Sequence, residues 1–274
     1  MTSHEYFLEK FAKIYPFSHC IWRIPEAVAQ TQFLPFRGPC LDLGCGDGTY
    51  MQVMLGQVGR PTDLTTGSTA KLIGLDPQAV EIERARARGI YDELIVGVST
   101  KIPLPDASVS MVFSNSVVEH IEDKQGTIRE IARILKPGGR YVFSAPSEGF
   151  TPGLPWRQRL ERWRMGTGDA WASLLNGTFK HYWMQSPEAW TQDLAQAGLR
   201  VVGHRYTLTP ENHATWERFL IPSYLQHIPA KRFGWVPGAG LSKAALRRRM
   251  VALEEPADLS SGGNIVMCAE KPLS

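Results

Sequence analysis

The stretch that most constrains this chain is Leu41 to Tyr50, LDLGCGDGTY. Cys40, Leu41 and Leu43 read as the end of a buried strand. Gly44, Gly46 and Gly48 fall at alternate positions in a tight turn, and a helical run begins near Thr49. Glycines there take φ angles that other residues resist and let the main chain approach a ligand closely. The amides at the following helix start favour an anionic or polar ligand. A nicotinamide-dinucleotide fingerprint, GxGxxG, would need glycine at Thr49, or at Met51 when read from Gly46, so neither register fits. A second short apolar run, Lys71 to Asp76 (KLIGLD), also ends in a carboxylate. In a doubly wound sheet an acid closing the second strand sits beside the first glycine turn and can accept both ribose hydroxyls.

The remaining sequence limits what surrounds this turn. A chain of 274 residues can bury a sizeable core. Its N-terminus carries Glu5 and Glu9 and no uninterrupted apolar core, unlike a secretory signal. No apolar run approaches the roughly 20 residues that span a bilayer. Cys20, Cys40, Cys45 and Cys268 show no CxxC pairing, which points to reduced thiols and a cytoplasmic setting. A net charge of +3 is too small to require a nucleic-acid partner. Basic residues do gather at Arg157, Arg159, Arg162 and Arg164, and again at Arg247, Arg248 and Arg249. Such runs read first as solvated helix faces. The first is interleaved with Trp156, Leu160, Trp163 and Met165, a basic amphipathic pattern that could also lie on a membrane surface.

Taken in order, residues 1–37 read as helical, with Pro16, Pro25 and Pro35 as breaks. Gly56 to Ala70 reads as a long loop. A helix opens at Pro77, strands follow at Glu93 to Gly97 and Ser110 to Ser116, and an amphipathic helix spans Asp123 to Leu135. Lys136 to Gly139 stop that helix and turn into a strand at Arg140 to Ala145. The alternation breaks over Ser147 to Gln185, recovers with the Ser186-capped helix and a strand at Arg200 to Leu208, and breaks again over Thr209 to Gly262 before the last strand, Ile265 to Ala269. Seven of the eight tryptophans follow residue 150, so an aromatic wall for a bulky acceptor and simple packing both remain open roles for them.

Through LDLGCGDG, KLIGLD and the ILKPGG turn at Ile134 to Gly139, the chain resembles class I S-adenosylmethionine-dependent methyltransferases, chiefly the broad subgroup acting on small molecules and lipids. The resemblance covers Gly38 to Ser147, His181 to Tyr206 and Asn264 to Lys271. It implies an α/β, Rossmann-like seven-stranded sheet of order 3-2-1-4-5-7-6 with the last strand antiparallel. The implied organisation is an N-terminal helical cover (1–37), a cofactor-binding core (38–147, 186–208 and 263–274) and two insertions (148–185 and 209–262) forming a helical cap over the transfer site. It also implies S-adenosyl-L-methionine as methyl donor and S-adenosyl-L-homocysteine as product. Asp42 falls where the family positions the amino-acid end of the cofactor, above a floor of Gly44, Gly46 and Gly48. Asp76 falls at the ribose, Pro77 at a face of the adenine, and Asn115 beside the cofactor amine.

At the adenine edge the family often reads GDA before a leucine-proline pair, whereas this chain has Gly97, Val98 and Ser99 before Ile102 and Pro103. Val98 cannot accept from the adenine amino group, which leaves Ser99, by amide or hydroxyl. SNSV, Ser114 to Val117, is not the NPPY-type motif for exocyclic amines, and no residue cluster suits a metal. His120 is the best general-base candidate, with a structural bridge as its other reading, and His181 with Tyr182 comes next. Arg23 could meet the cofactor carboxylate or pair with Glu26. The expected reaction is methyl transfer to a medium or large natural product, lipid or glycan, most directly at a hydroxyl oxygen. Carbon methylation of an activated ring, RNA or protein modification through the arginine clusters, and a non-catalytic binding protein are the alternatives.

Overall fold

The protein is described by a computed structural model over residues 1–225, 236–256 and 258–273. Trp235, one of the seven tryptophans counted above, and His227 lie outside the described residues. Seven strands form one sheet: β1 (Cys40–Leu43), β2 (Leu72–Asp76), β3 (Glu93–Val96), β4 (Val109–Asn115), β5 (Leu135–Pro146), β6 (Arg200–Thr207) and β7 (Asn264–Glu270), in the order β3-β2-β1-β4-β5-β7-β6. β1 and β2 are buried at every position, as strands covered on both faces must be. Their parallel register sets Asp42 beside Gly74 on one side and Phe113 on the other. β7 is antiparallel, and beside it Lys271 and the Gly138–Gly139 pair exchange main-chain hydrogen bonds of 2.7 and 2.9 Å.

The described chain divides into two compact units. One comprises residues 30–145, 182–204 and 266–274 and holds most of the sheet. Its helices are α3 (Thr49–Val58), α4 (Ala79–Arg88), α5 (Lys124–Ile134) and α8 (Pro187–Gln196), of which α5 and α8 start at side chains that satisfy a free amide of the first turn. Asp123 accepts from Gly126 N at 2.7 Å, and Ser186 accepts from Ala189 N at 3.3 Å with Pro187 in the first turn. α4 carries Glu81 in its first turn and Arg86 and Arg88 in its last, and ends at Gly89 with φ +66°.

The other unit comprises residues 1–29, 146–181 and 205–265. It contains α1 (Ser3–Phe11), most of α2 (Phe17–Thr31), α6 (Pro155–Trp163), α7 (Thr167–Phe179), α9 (Pro210–Arg218), α10 (Ala239–Arg248) and the short α11 (Met250–Leu253). The described parts of both insertions are therefore largely helical. Phe150 is fully buried at the centre of an aromatic cluster, its ring 5.7 Å from Trp22, 5.6 Å from Trp216 and 5.2 Å from His213. The buried Glu26 receives Arg23 Nη1 at 2.6 Å and Asn264 Nδ2 at 3.2 Å, so Arg23 makes the ion pair expected of it.

Two local readings need correction. Pro25 lies inside α2 instead of breaking it. A proline forfeits one helical hydrogen bond, yet Ile21, Ile24 and Ala27 are fully buried on either side of it, and that packing outweighs propensity. Lys136 to Gly139 do not separate helix from strand, because β5 already begins at Leu135. Val109 pairs with Leu135 and Met111 with Arg140, so the KPGG residues bulge from the ladder, with Gly138 at φ +75°.

Candidate cofactor site

The glycine turn is stitched to the end of the neighbouring strand. Gly44 N and Cys45 N donate to Leu75 O at 2.8 and 3.0 Å, and Gly46 N donates to Asp76 Oδ2 at 3.0 Å. The other oxygen of Asp76 accepts from Gln78 N at 2.8 Å, which ties the carboxylate to the entrance of α4. Each carboxylate oxygen still has acceptor capacity after those bonds. Asp76 faces a cavity of about 520 Å³ at the carboxyl ends of β1, β2 and β4, whose wall includes Gly44, Asp76, Pro77, Val98, Ser99 and His120. That volume lies within the range of small-molecule sites.

The three glycines differ in what they do. At Gly44, with φ +71°, an added Cβ would lie 2.5 Å from a methyl of Val117; at Gly48, with φ +76°, it would lie 2.9 Å from the Tyr91 ring. Those two permit close packing. At Gly46, with φ +52°, a Cβ would meet nothing within 4 Å, so the turn is open there. Open space over a positively oriented main chain, beside a carboxylate with unused lone pairs, suits the polar amino-acid and ribose parts of an adenosyl sulfonium.

Asp42 lies beneath the turn. It is buried, and Tyr91 OH donates to its Oδ2 at 2.5 Å. Burial pushes the Asp42 carboxyl up to about 7; the nearby Asp76 charge adds to the rise, and the Tyr91 hydrogen bond opposes it. Burial, followed by the Asp42 charge, raises the Tyr91 phenol. Between about pH 4 and 7 the native state thus holds a proton that the unfolded chain has released, so this group makes stability fall as pH rises through that window and level off above it. Asp42→Asn should remove that decline, gaining a few kcal/mol relative to the parent between pH 4.5 and pH 8 in urea unfolding. An equal offset at both pH values would show that Asp42 does not titrate this way.

Arg88 braces the turn from outside, its Nε 2.5 Å from Asp47 O and its Nη2 2.6 Å from Asp47 Oδ2. Neither Arg88 nor Tyr91 was singled out from sequence. An arginine in the last turn of the helix after the second strand was visible, but nothing in its spacing tied it to Asp47. Ser99 Oγ pairs with Thr127 Oγ1 on α5 at 2.8 Å, which commits the hydroxyl sideways. Its main-chain N–H has no acceptor among the described residues. Asn115, at the end of β4, donates through Nδ2 to Ser144 Oγ at 2.9 Å. His120 ends a short 3-10 turn over Val118–His120; its side chain is 40% exposed, and its Nε2 stands 3.7 Å from Oε1 of the buried Glu119. His181 lies in the other unit, stacked on Phe179 at 5.5 Å and edge-on to Phe150 at 5.3 Å.

A mixed, mostly parallel sheet of this strand order, with an acid-clamped glycine turn opening on a cavity, defines a Rossmann-like nucleoside-cofactor fold. Residues 41–143 match the family model described as a methyltransferase domain. A probable S-adenosylmethionine-dependent methyltransferase of Mycolicibacterium smegmatis is 34% identical over 114 residues, 41% of this chain and 40% of that protein. The malonyl-[acyl-carrier protein] O-methyltransferase of Yersinia pestis is 34% identical over 122 residues, 43% of this chain and 41% of that protein. The chain thus spans about two fifths of the length of the curated relatives it matches. A geranyl diphosphate C-methyltransferase from Streptomyces coelicolor A3(2), solved with Mg²⁺, geranyl diphosphate and S-adenosyl-L-homocysteine, shares the fold with a TM-score of 0.54 at 18% identity, over 90% of this chain and 78% of that one. Over residues 41–143 the chain is thus similar to methyltransferase domains, S-adenosylmethionine-dependent ones among them. Among the described residues, no helix is long and apolar enough to cross a membrane.

Proposed function

We propose that the protein transfers the methyl group of S-adenosylmethionine to a medium or large organic acceptor, a natural product, lipid or glycan, at a hydroxyl oxygen. The observation that carries this reading is the cavity in which Asp76 and His120 face the same space. When bound, the cofactor supplies an electrophilic methyl carbon. Asp76, already fixed by Gly46 N and Gln78 N, accepts the ribose hydroxyls, and Pro77 covers a face of the adenine. The Ser99 N–H takes the base edge that Val98 cannot serve. Gly44, Gly46 and Gly48 shape the floor, Asn115 orients the amino-acid end, and Asp42 supports that floor from below through Tyr91.

His120 holds the proton that leaves the acceptor hydroxyl. That role favours oxygen over the carbon reading, because an alcohol at neutral pH is a weak nucleophile until its proton has somewhere to go. The relatives divide by name among O-, C- and N-methyltransferases, so the base is the feature that favours oxygen here. His181 is the second candidate for contact with the acceptor.

Calorimetric titration with S-adenosylmethionine, followed by radiolabelled methyl transfer to extracts fractionated by polarity, tests the reading. Saturable cofactor binding and label recovered in a base-stable ether are the expected results. No binding at millimolar cofactor would overturn the enzyme assignment, and label on carbon would replace oxygen by the second reading.

A further inference from the structure

We propose that α6 and the turn after it dock the protein onto an anionic lipid surface. α6 buries none of its own residues. Trp156, Leu160 and Trp163 recur at the i, i+4, i+7 spacing of one helix face. Trp163 is 80% exposed, Met165 in the following turn 90%, and Ile221, which shares an apolar cleft with Trp156, 68%. An exposed tryptophan and methionine side by side forgo a large burial gain, and amphipathic aromatic rings find it at the boundary between headgroups and acyl chains.

The charges around these side chains that lack a partner of opposite sign are arginines. Arg159 lies over the Trp156 ring at 5.5 Å, and Arg159, Arg162, Arg164 and Arg218 have no carboxylate partner among the described residues. On α6 itself Arg157 is paired with the exposed Asp169 at 2.7 Å, and elsewhere in the same unit Arg247 is paired with Glu9 at 2.6 Å and Arg249 with Glu211 at 2.9 Å. Two of the nearby acids are committed to donors of their own unit, while Asp169 is held by Arg157. Glu161 accepts Gly166 N at 2.9 Å and Gly168 N at 3.1 Å, and the buried Glu217 accepts Trp156 N at 2.9 Å and Trp171 Nε1 at 2.8 Å. An apolar cleft of about 300 Å³, lined by Trp156, Leu160, Trp171, Ile221 and Pro222, opens beside Arg218 and can take part of an acyl chain. Projecting aromatic residues ringed by unpaired arginines complement anionic headgroups. A second copy meeting the same face about a two-fold axis would set these arginines against themselves.

The test is sedimentation of the full chain with phosphatidylcholine vesicles, with and without a one-third share of phosphatidylglycerol. Binding should require the anionic lipid and weaken with salt. At roughly fivefold per charge, the combined Arg159→Gln, Arg162→Gln and Arg164→Gln variant should lose on the order of a hundredfold in affinity. Trp163→Ser with Met165→Ser should lose at least about tenfold at unchanged salt dependence, and Arg84→Gln, on α4, should bind as the parent does. All these side chains are exposed, and circular dichroism of each variant checks that the fold is intact. Equal binding to both vesicles, no binding to either, or full binding by the triple variant would overturn the proposal. A doubled mass in sedimentation velocity that Trp163→Ser returns to monomer would overturn it in favour of a contact between copies.

Discussion

Replacing His120 by alanine is expected to slow methyl transfer to a hydroxyl acceptor by about two to four orders of magnitude, the usual worth of a positioned general base. Affinity for S-adenosylmethionine should stay within about threefold, because His120 is assigned to the acceptor proton and not to the ribose or the base. A side chain 40% exposed can be truncated without opening a core void. The Glu119 carboxylate, 3.7 Å away and buried, would face the imidazolium formed when the proton is taken, so Glu119 acts through His120 and not on the acceptor. His120→Gln, which keeps a polar group but takes no proton at neutral pH, should be as slow as alanine. The deficit of both variants should shrink as pH rises and the acceptor ionises unaided. Single-turnover rates across pH in the parent and the two variants check this. Full rate in His120→Ala at every pH would remove the base and shift the assignment to an acceptor that sheds no proton, such as a carboxylate.

The sheet order and the class of cofactor were legible because both are written in short, contiguous stretches. LDLGCGDG and KLIGLD each place an apolar strand, its acid and its turn within a few residues, and such local patterns survive whatever packs around them. Ser186–Pro187 and Asp123 marked helix starts for the same reason. What escaped depends on partners distant in sequence. Tyr91 meets Asp42 across 49 residues and Arg88 meets Asp47 across 41, and no spacing rule connects them. Pro25 and the KPGG bulge show tertiary packing and ladder register overruling local propensity.

The tryptophans, alike in sequence, separate by environment. Trp190 is fully buried against Phe143 at 5.0 Å, Trp183 donates through Nε1 to Ile121 O at 2.7 Å, and Trp163 stands in solvent. Composition could count these rings but could not tell a core residue from an anchor.

Asp76→Ala should weaken S-adenosyl-L-homocysteine binding by about two to four orders of magnitude, since two hydrogen bonds to a charged carboxylate, each worth about 1.5–3 kcal/mol, are lost together. The same change strips the acceptor from Gly46 N and Gln78 N, so a loss of about 1–3 kcal/mol in unfolding free energy should accompany it. Asp76→Asn separates the effects. Its carbonyl can keep one of the two amide bonds while its NH₂ opposes the other donor, so stability should recover more than affinity does. Calorimetry with the homocysteine product and urea unfolding measure the two losses, and binding within threefold of the parent in Asp76→Ala would refute the ribose assignment. A third readout needs no cofactor. Because the Asp76 charge helps hold the Asp42 carboxyl up, removing it should bring that group back toward the ordinary carboxylate range. The fall in stability between pH 4 and 7 should then become shallower in Asp76→Ala than in the parent, as it must if the two acids sit together beneath one turn.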